Sequence, residues 1–315
     1  MSSIPFQSVQ AESLGAFVAL KHAQGYRYTH LTHLLRHFDR FLQARSYSCQ
    51  WLVEDLVDGY VAQRSHATAY SQSTMLSPLR DYSAYVHLRY PESYVLKMLP
   101  VRPRRPCRFH IYSQEQIQAL MAAAEARGSA GSIRGLTLKT IIGLLYAGGL
   151  RIGEALALNV GDLDAEQRTL FVRKGKFGKD RYVPLADSTV EALLTYRQKA
   201  EGIRKGASLF VSTRGTRPAQ VTIGNLFRQL ICECAIAPSA PWPRLHDLRH
   251  TYAVNCLCKW YEQGLDVNAM LPVLSTVMGH VKVSCTQIYL HVPVPLRQEA
   301  AERFAQRVAS RIIPE

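Results

Sequence analysis

The stretch from residue 244 to residue 289 contains two histidines, an arginine and a tyrosine at spacings that suggest a chemical site. His246 and Arg249 are three residues apart in RLHDLRHTYAV, and a Gly-His pair ending at His280 precedes Tyr289 by nine residues. These side chains can supply a proton carrier, an anion clamp and a nucleophile. The stretch therefore predicts a site for nucleophilic chemistry on an anionic group.

Further charged residues that can join this site lie upstream. GGLRIGEALAL contains Arg151 at the start of a helical pattern, and Glu154 follows on the same helix. We expect Glu154 to orient Arg151 or to serve packing. GKFGKDRYVPL predicts two short strands joined by a glycine-rich turn, where a lysine can donate a proton. The lysines that compete for this role are Lys174, Lys176 and Lys179.

This order of motifs resembles the tyrosine recombinase (phage integrase) family. GGLRIGEALALNVGDLD is similar to the family's first arginine motif, LHDLRHTYA to its His-x-x-Arg motif, and MGHVKVSCTQIYLHV to its Gly-His and tyrosine motif. The resemblance covers essentially the whole chain. Its one visible departure is Met278 in place of the family's usual leucine, a substitution of similar volume.

The resemblance implies a site-specific enzyme that cuts and rejoins duplex DNA through a 3′-phosphotyrosine bond, leaving a free 5′-hydroxyl and using no metal or other cofactor. It assigns Tyr289 as the nucleophile and Arg151 and Arg249 as the phosphate clamps. Guanidinium groups suit that task, because their planar fork makes paired hydrogen bonds to phosphate oxygens and keeps its charge.

The remaining assignments concern protons and DNA contacts. Alignment with the family's lysine-hairpin and Val-Pro-Leu pattern selects Lys176 as the acid that protonates the leaving 5′-oxygen. Lys174 and Lys179 then become phosphate contacts. His246 and His280 are expected either to accept the tyrosine proton or to hold phosphate oxygens, and the sequence does not divide these tasks.

Three other interpretations compete with a recombinase. His246 and His250 lie four residues apart with an acid between them, which weakly imitates the zinc-binding His-Glu-x-x-His motif of metal-dependent hydrolases. A type IB topoisomerase would share the phosphotyrosine step but relax supercoils. A non-catalytic DNA-binding protein of the same fold is disfavoured, because every catalytic position of the family is occupied.

Composition supports a nucleic-acid partner. The chain has 315 residues, a net charge of +14 and a pI near 9.6, and 47% of its residues are hydrophobic. Such a basic protein favours a polyanion. It has no apolar run of about 20 residues, as a membrane span requires, and no visible secretory signal, so we expect a cytoplasmic protein.

Helical patterns predict a four-helix DNA-binding domain over residues 1–92. Its second helix carries an apolar stripe, with Arg36 and Arg40 on the opposite face as candidate DNA contacts. Residues 93–110 are predicted to form a linker, because their prolines exclude regular secondary structure. Its arginines are expected to follow a phosphate backbone; they are Arg102, Arg104, Arg105 and Arg108.

Residues 111–315 are predicted to form the catalytic domain. The fold class expected is mainly α with a small antiparallel sheet, in which two domains close around DNA as a clamp. After Tyr289, an apolar stripe recurs every four residues between Leu296 and Val308, which predicts a C-terminal helix. Docking of that helix on its own domain is one alternative. In proteins that this chain resembles, the helix packs on the next subunit. We therefore expect a monomer in free solution and a homotetramer on paired DNA sites.

Overall fold

The computed structural model divides the chain into two compact units, Met1–Pro106 and Cys107–Glu315. It describes residues 6–26, 28–63, 65–97, 109–128, 132–173, 180–236, 242–280 and 282–291. Most of the predicted linker, residues 98–108, and the predicted C-terminal helix lie outside the described residues. The domain boundaries at residues 92 and 110 therefore stay predictions.

The described part of the first unit contains four helices: α1 (Ala11–Ala23), α2 (Thr29–Ala44), α3 (Glu54–Ala62) and α4 (Ala69–Arg89). Aromatic rings occupy their shared core, where Phe38 meets Tyr60 edge-on with ring centroids 5.0 Å apart. Such pairs add to the stability that burial of apolar surface provides. The fully buried members of this core include Leu14, Phe38, Leu42, Leu52, Val57 and Tyr82.

The predicted arginine face of α2 lies away from this core. Arg40 is exposed and Arg36 is partly exposed. Each lies 3.3 Å from the Nδ1 of a histidine one turn earlier, His33 for Arg36 and His37 for Arg40. The face is thus basic and open to solvent, as the amphipathic pattern predicts.

The second unit is mainly helical with a small sheet, which confirms the predicted fold class. Its helices are α5 (Gln114–Glu125), α6 (Ile133–Gly148), α7 (Ile152–Ala157), α8 (Asp187–Ala200), α9 (Gln220–Glu233), α10 (Asp247–Glu262), α11 (Val267–Met278) and α12 (Ser284–Gln287), followed by a 3₁₀ turn at Ile288–His291. The three antiparallel strands, in the order β1-β2-β3, are β1 (Leu163–Asp164), β2 (Thr169–Val172) and β3 (Arg181–Pro184). β2 and β3 were predicted, whereas the two-residue β1 was not.

Helix α6 lies at the centre of the second unit and is buried on nearly every side. Gly135 allows its close packing against α5, because a Cβ there would lie 2.5 Å from the Glu125 carbonyl oxygen. A capping box begins α5, with Ser113 and Gln116 satisfying each other's backbone donors. Within the described part of the chain, no helix is long and apolar enough to cross a membrane.

Candidate active site

Arg151 lies where α6 ends and α7 begins. Gly149 ends α6 with a φ of +62°, and a side chain there would collide with the Tyr252 ring. This turn places Arg151 at the N-cap of α7. Its Nη1 donates to Glu154 Oε1 at 2.7 Å, and its Nη2 donates to the Gly279 carbonyl at 3.2 Å. Glu154 therefore orients Arg151, as expected from their spacing.

Arg249 lies on the first turn of α10 and is almost completely buried, with 2% of its surface exposed. Its Nη1 donates to the Gly149 carbonyl and its Nη2 to the Met278 carbonyl, both at 2.6 Å. Burial and then the nearby Arg151 lower the pKa of Arg249 to about 10, so the group stays cationic at neutral pH. The structure thus brings together the two arginines that the motifs predict.

A third arginine, Arg181, lies beside this pair. It begins β3, and its two Nη atoms donate to the two carboxylate oxygens of Glu154, at 3.2 and 2.8 Å. Its Nε donates to the Val277 carbonyl at 2.8 Å. The sequence contained a signal for it, because Arg181 comes two residues before the buried Val183 and therefore shares its face of the strand. The structure pairs Arg181 with the buried Val172 of β2.

Glu154 is therefore shared by two arginines while it is itself 8% exposed. Burial alone would raise the pKa of its carboxyl group. Hydrogen bonds from Arg181 and Arg151 outweigh burial and lower the pKa to about 2. Glu154 is consequently ionised throughout the physiological pH range.

Tyr289 lies in the 3₁₀ turn after α12 and is 4% exposed. Its hydroxyl oxygen lies 2.9 Å from His250 Nδ1, within hydrogen-bonding distance. Phe109 stacks on the His250 ring and meets the Tyr289 ring edge-on. In the sequence His250 stands out only as part of an imitation zinc motif, whereas the structure places it within hydrogen-bonding distance of the candidate nucleophile.

His246 and His280 are the two histidines that the motifs predict. The rings of His246 and His250 meet edge-on, 4.9 Å apart, whereas His280 Nδ1 lies 2.8 Å from Thr286 Oγ1. Partial desolvation and then the Arg249 charge lower the pKa of His246, although the residue as a whole is exposed. Burial and then Arg249 lower the pKa of His280 to about 4.

His250 also has a lowered pKa. Burial and then the neighbouring His246 bring it to about 4. At neutral pH His250 is therefore uncharged and can accept a hydrogen bond at Nδ1 from the Tyr289 hydroxyl. A neutral imidazole in contact with a phenol can position its oxygen and accept its proton.

Several predicted residues are not part of this assembly in the described chain. Arg36 and Arg40 belong to the first unit. Outside the described residues lie Lys174, Lys176, Lys179, Arg102, Arg104, Arg105 and Arg108. In the described ranges, no group of three or more histidine, cysteine or acidic side chains could hold a metal ion.

The second unit matches the phage integrase family over residues 111–294. Among similar proteins, y4rB of Sinorhizobium fredii, named provisionally as an integrase/recombinase, is 32% identical over 311 residues, covering 95% of this chain and 98% of that one. Tyrosine recombinase XerD of Vibrio cholerae is 30% identical over 241 residues, covering 75% of this chain and 72% of its own.

A solved structure shows the same fold. XerH site-specific recombinase, bound to palindromic difH substrate in a post-cleavage complex, has a TM-score of 0.63 at 18% identity, covering 87% of this chain and 78% of its own. The chain belongs to the phage integrase family of tyrosine recombinases. It is a site-specific recombinase, an enzyme of DNA recombination, and the topoisomerase and non-catalytic interpretations are not supported.

Proposed function

We propose that this recombinase cuts and rejoins duplex DNA through a covalent bond between Tyr289 and a 3′-phosphate. The Tyr289 oxygen attacks phosphorus and loses its proton to a base. The bond from phosphorus to the 5′-oxygen breaks, and that oxygen takes up a proton from an acid. Because the phosphotyrosine bond keeps the energy of the broken linkage, a 5′-hydroxyl from a second strand can reverse the step without ATP.

The observation that carries this proposal is the contact between the Tyr289 hydroxyl and His250 Nδ1, at 2.9 Å. His250 adjoins Arg249 on α10, and the Arg249 guanidinium is close enough to the Tyr289 hydroxyl to interact with it electrostatically. A phenol has a pKa near 10 and is a weak nucleophile until its proton is removed or its phenolate is stabilised. His250 and Arg249 together can meet this requirement.

Arg151 and Arg249 balance the negative charge that develops on the phosphate oxygens. Arg151 keeps 23% of its side-chain surface exposed, so it faces the side from which a phosphate can approach. Placing donors where charge develops lowers the barrier most when the donors are already in position. The carbonyl and carboxylate contacts of both arginines provide this preorganisation.

The histidines and a lysine handle protons. His250 accepts the hydrogen bond of the phenol, and the His246 ring meets the His250 ring edge-on. His280 follows Gly279, whose carbonyl accepts a hydrogen bond from Arg151. We assign His280 and His246 to the phosphate oxygens and His250 to the phenol. Lys176, which lies outside the described residues, is proposed as the acid for the 5′-oxygen, with Lys174 and Lys179 as DNA contacts.

DNA recombination sites are the proposed partner, and the basic surface is the proposed contact. The net charge of +14 and the solvent-facing Arg36 and Arg40 favour binding through phosphates. We propose that the two domains close around DNA as a clamp, with the linker arginines Arg102, Arg104, Arg105 and Arg108 along its backbone. The reaction is assigned to the cytoplasm, in the service of a mobile element or of Xer-like recombination, and requires no cofactor.

The assembly proposed is a monomer in free solution and a homotetramer on two paired sites. The support is the amphipathic pattern of residues 296–308, a single apolar stripe that cannot be stable alone and must pack on another surface. The Pro-Val-Pro segment at 293–295 follows Tyr289 closely and would link each nucleophile to its neighbouring subunit.

A nicked suicide substrate tests the nucleophile. Cleavage near the nick releases a short fragment, so wild-type protein stays covalently attached to DNA and migrates slowly on a denaturing gel. Tyr289→Phe keeps the buried ring and removes the attacking oxygen, so it should bind DNA and form no covalent complex. Tyr182→Phe, which alters an exposed tyrosine of the same unit, is the matched control. Covalent attachment of the Tyr289→Phe protein would refute the assignment.

A further inference from the structure

Arg181 is turned inward and donates a hydrogen bond from each of its three side-chain nitrogens. Its Nε, Nη1 and Nη2 all donate hydrogen bonds, to Val277, to one Glu154 oxygen and to the other. Only 8% of its side chain is exposed. Arg181 is therefore poorly placed to bind a phosphate itself, because its charge is already paired with a buried carboxylate. Arg249 differs in donating to two uncharged carbonyls, and Arg151 differs in being 23% exposed.

Three arginines meet the end of α11 in register. The Val277 carbonyl accepts from Arg181, the Met278 carbonyl from Arg249 and the Gly279 carbonyl from Arg151. The last carbonyls of a helix have no partner within the helix and carry the negative end of its dipole. The end of α11 thus holds the three guanidinium groups side by side, and Arg181 connects this end to the sheet.

The charges around Glu154 show what Arg181 contributes. Arg151 and Arg181 share the Glu154 carboxylate, which is 8% exposed. Without Arg181, Arg151 would be the only cation bonded to that carboxylate and would be drawn towards it. Arg181 supplies part of the positive charge that balances Glu154, so the carboxylate offsets less of the charge of Arg151.

We infer that Arg181 is a positioning residue for strand cleavage, which holds Glu154 and the end of α11 so that Arg151 remains aimed at the scissile phosphate. This inference rests on the proposed function, because it assumes attack on a phosphodiester. Arg181 neither touches the DNA nor transfers a proton. It acts by keeping the charge of Arg151 available to the phosphate.

The test compares Arg181→Gln with wild-type protein on three suicide substrates. The first has an ordinary scissile phosphate, the second a bridging 5′-sulfur that leaves without a proton, and the third a neutral methylphosphonate. Arg168→Gln is the matched control, since it breaks an exposed ion pair with Asp187 at the same sheet. Covalent attachment rates, DNA affinity and thermal unfolding are measured for each protein.

Arg181→Gln should bind DNA within about threefold of wild type and cleave the ordinary phosphate more slowly, by on the order of 10². The sulfur substrate should not restore the rate, because leaving-group protonation is intact. On the methylphosphonate, the difference in cleavage rate between wild type and Arg181→Gln should be smaller by about tenfold or more, because this substrate presents less negative charge to be balanced. Rescue by sulfur, or an equal deficit on all three substrates, would overturn the inference.

A double variant guards against a folding defect in Arg181→Gln. If Arg181 acts through Glu154, adding Glu154→Gln to the Arg181→Gln protein should slow cleavage little further. The effects of the two substitutions on the cleavage rate are then not additive. Additive effects would overturn the inference. Wild-type protein that forms no covalent complex would instead refute the proposed function, which separates the two failures.

Discussion

Gly279 is the point at which a single methyl group should disturb all three arginines. Its φ is +64°, and an added Cβ would lie 2.8 Å from Arg181 Nη1 and 2.9 Å from Arg181 Cζ. Contacts this close force a displacement. The guanidinium group cannot move cheaply, because it is buried and bonded to Glu154 and to the Val277 carbonyl.

Two costs add up in Gly279→Ala. A left-handed conformation costs a residue with a side chain about 1–2 kcal/mol. Displacing Arg181 leaves buried hydrogen-bonding groups incompletely satisfied, which costs about 1–3 kcal/mol more. The free energy of unfolding should therefore fall by about 2–5 kcal/mol. Gly264→Ala is the matched control in the same unit, because its φ is +69° and nothing lies within 4 Å of an added Cβ.

Urea denaturation of both variants measures this difference. Gly264→Ala should lose only the conformational cost, about 1–2 kcal/mol, and should cleave a suicide substrate at the wild-type rate. Gly279→Ala should lose about 1–3 kcal/mol more and cleave more slowly at a temperature where it is folded. Equal losses in the two variants would refute the argument, since they would mean that Arg181 is not held in place.

Three further changes test other parts of the site. Arg249→Lys keeps the charge but cannot satisfy both the Gly149 and Met278 carbonyls, so suicide-substrate cleavage should slow by about 10²–10³, and a wild-type rate would contradict its role. His250→Phe should lessen the loss of stability seen as pH falls from 6.5 towards 4, because in that range the unfolded chain protonates His250 while the folded chain, with the pKa lowered to about 4, does not; unchanged acid unfolding would contradict this. Deleting residues 296–315 should leave binding to one DNA site intact and abolish the paired complex in gel-shift assays, whereas normal recombination by the truncated protein would refute subunit exchange.

Local sequence patterns predicted the four helices of the first unit, the two longer strands and the helix that begins at Arg151. The Ser113–Gln116 cap and the glycine break after α6 are encoded within a few residues, so they can be read without knowing the fold. The strand β1 could not be read in this way. It has two residues, Leu163 and Asp164, and exists because β2 offers it a partner.

The site itself was readable only where a motif marked it. Arg151 and Arg249 were recognised, and the structure brings them together although they are far apart in the sequence. His250 was missed because its partner, Tyr289, is 39 residues away and their contact depends on tertiary packing. Arg181 had a local signal in strand periodicity, but its partners Glu154 and Val277 come from two other elements.

The balance of charge in this site suits a transition state better than a ground state. Three guanidinium groups and one carboxylate leave two net positive charges, since the lowered pKa values keep His250 and His280 neutral. A phosphodiester carries one negative charge, and attack by an ionised phenol brings the charge of the phenolate onto the same phosphoryl group, so the five-coordinate species carries two. Stabilisation that grows as the reaction proceeds accelerates it, while equal binding of both states does not. Arg181 supplies the second positive charge by compensating Glu154, which is why an arginine that never meets the DNA should matter for cleavage.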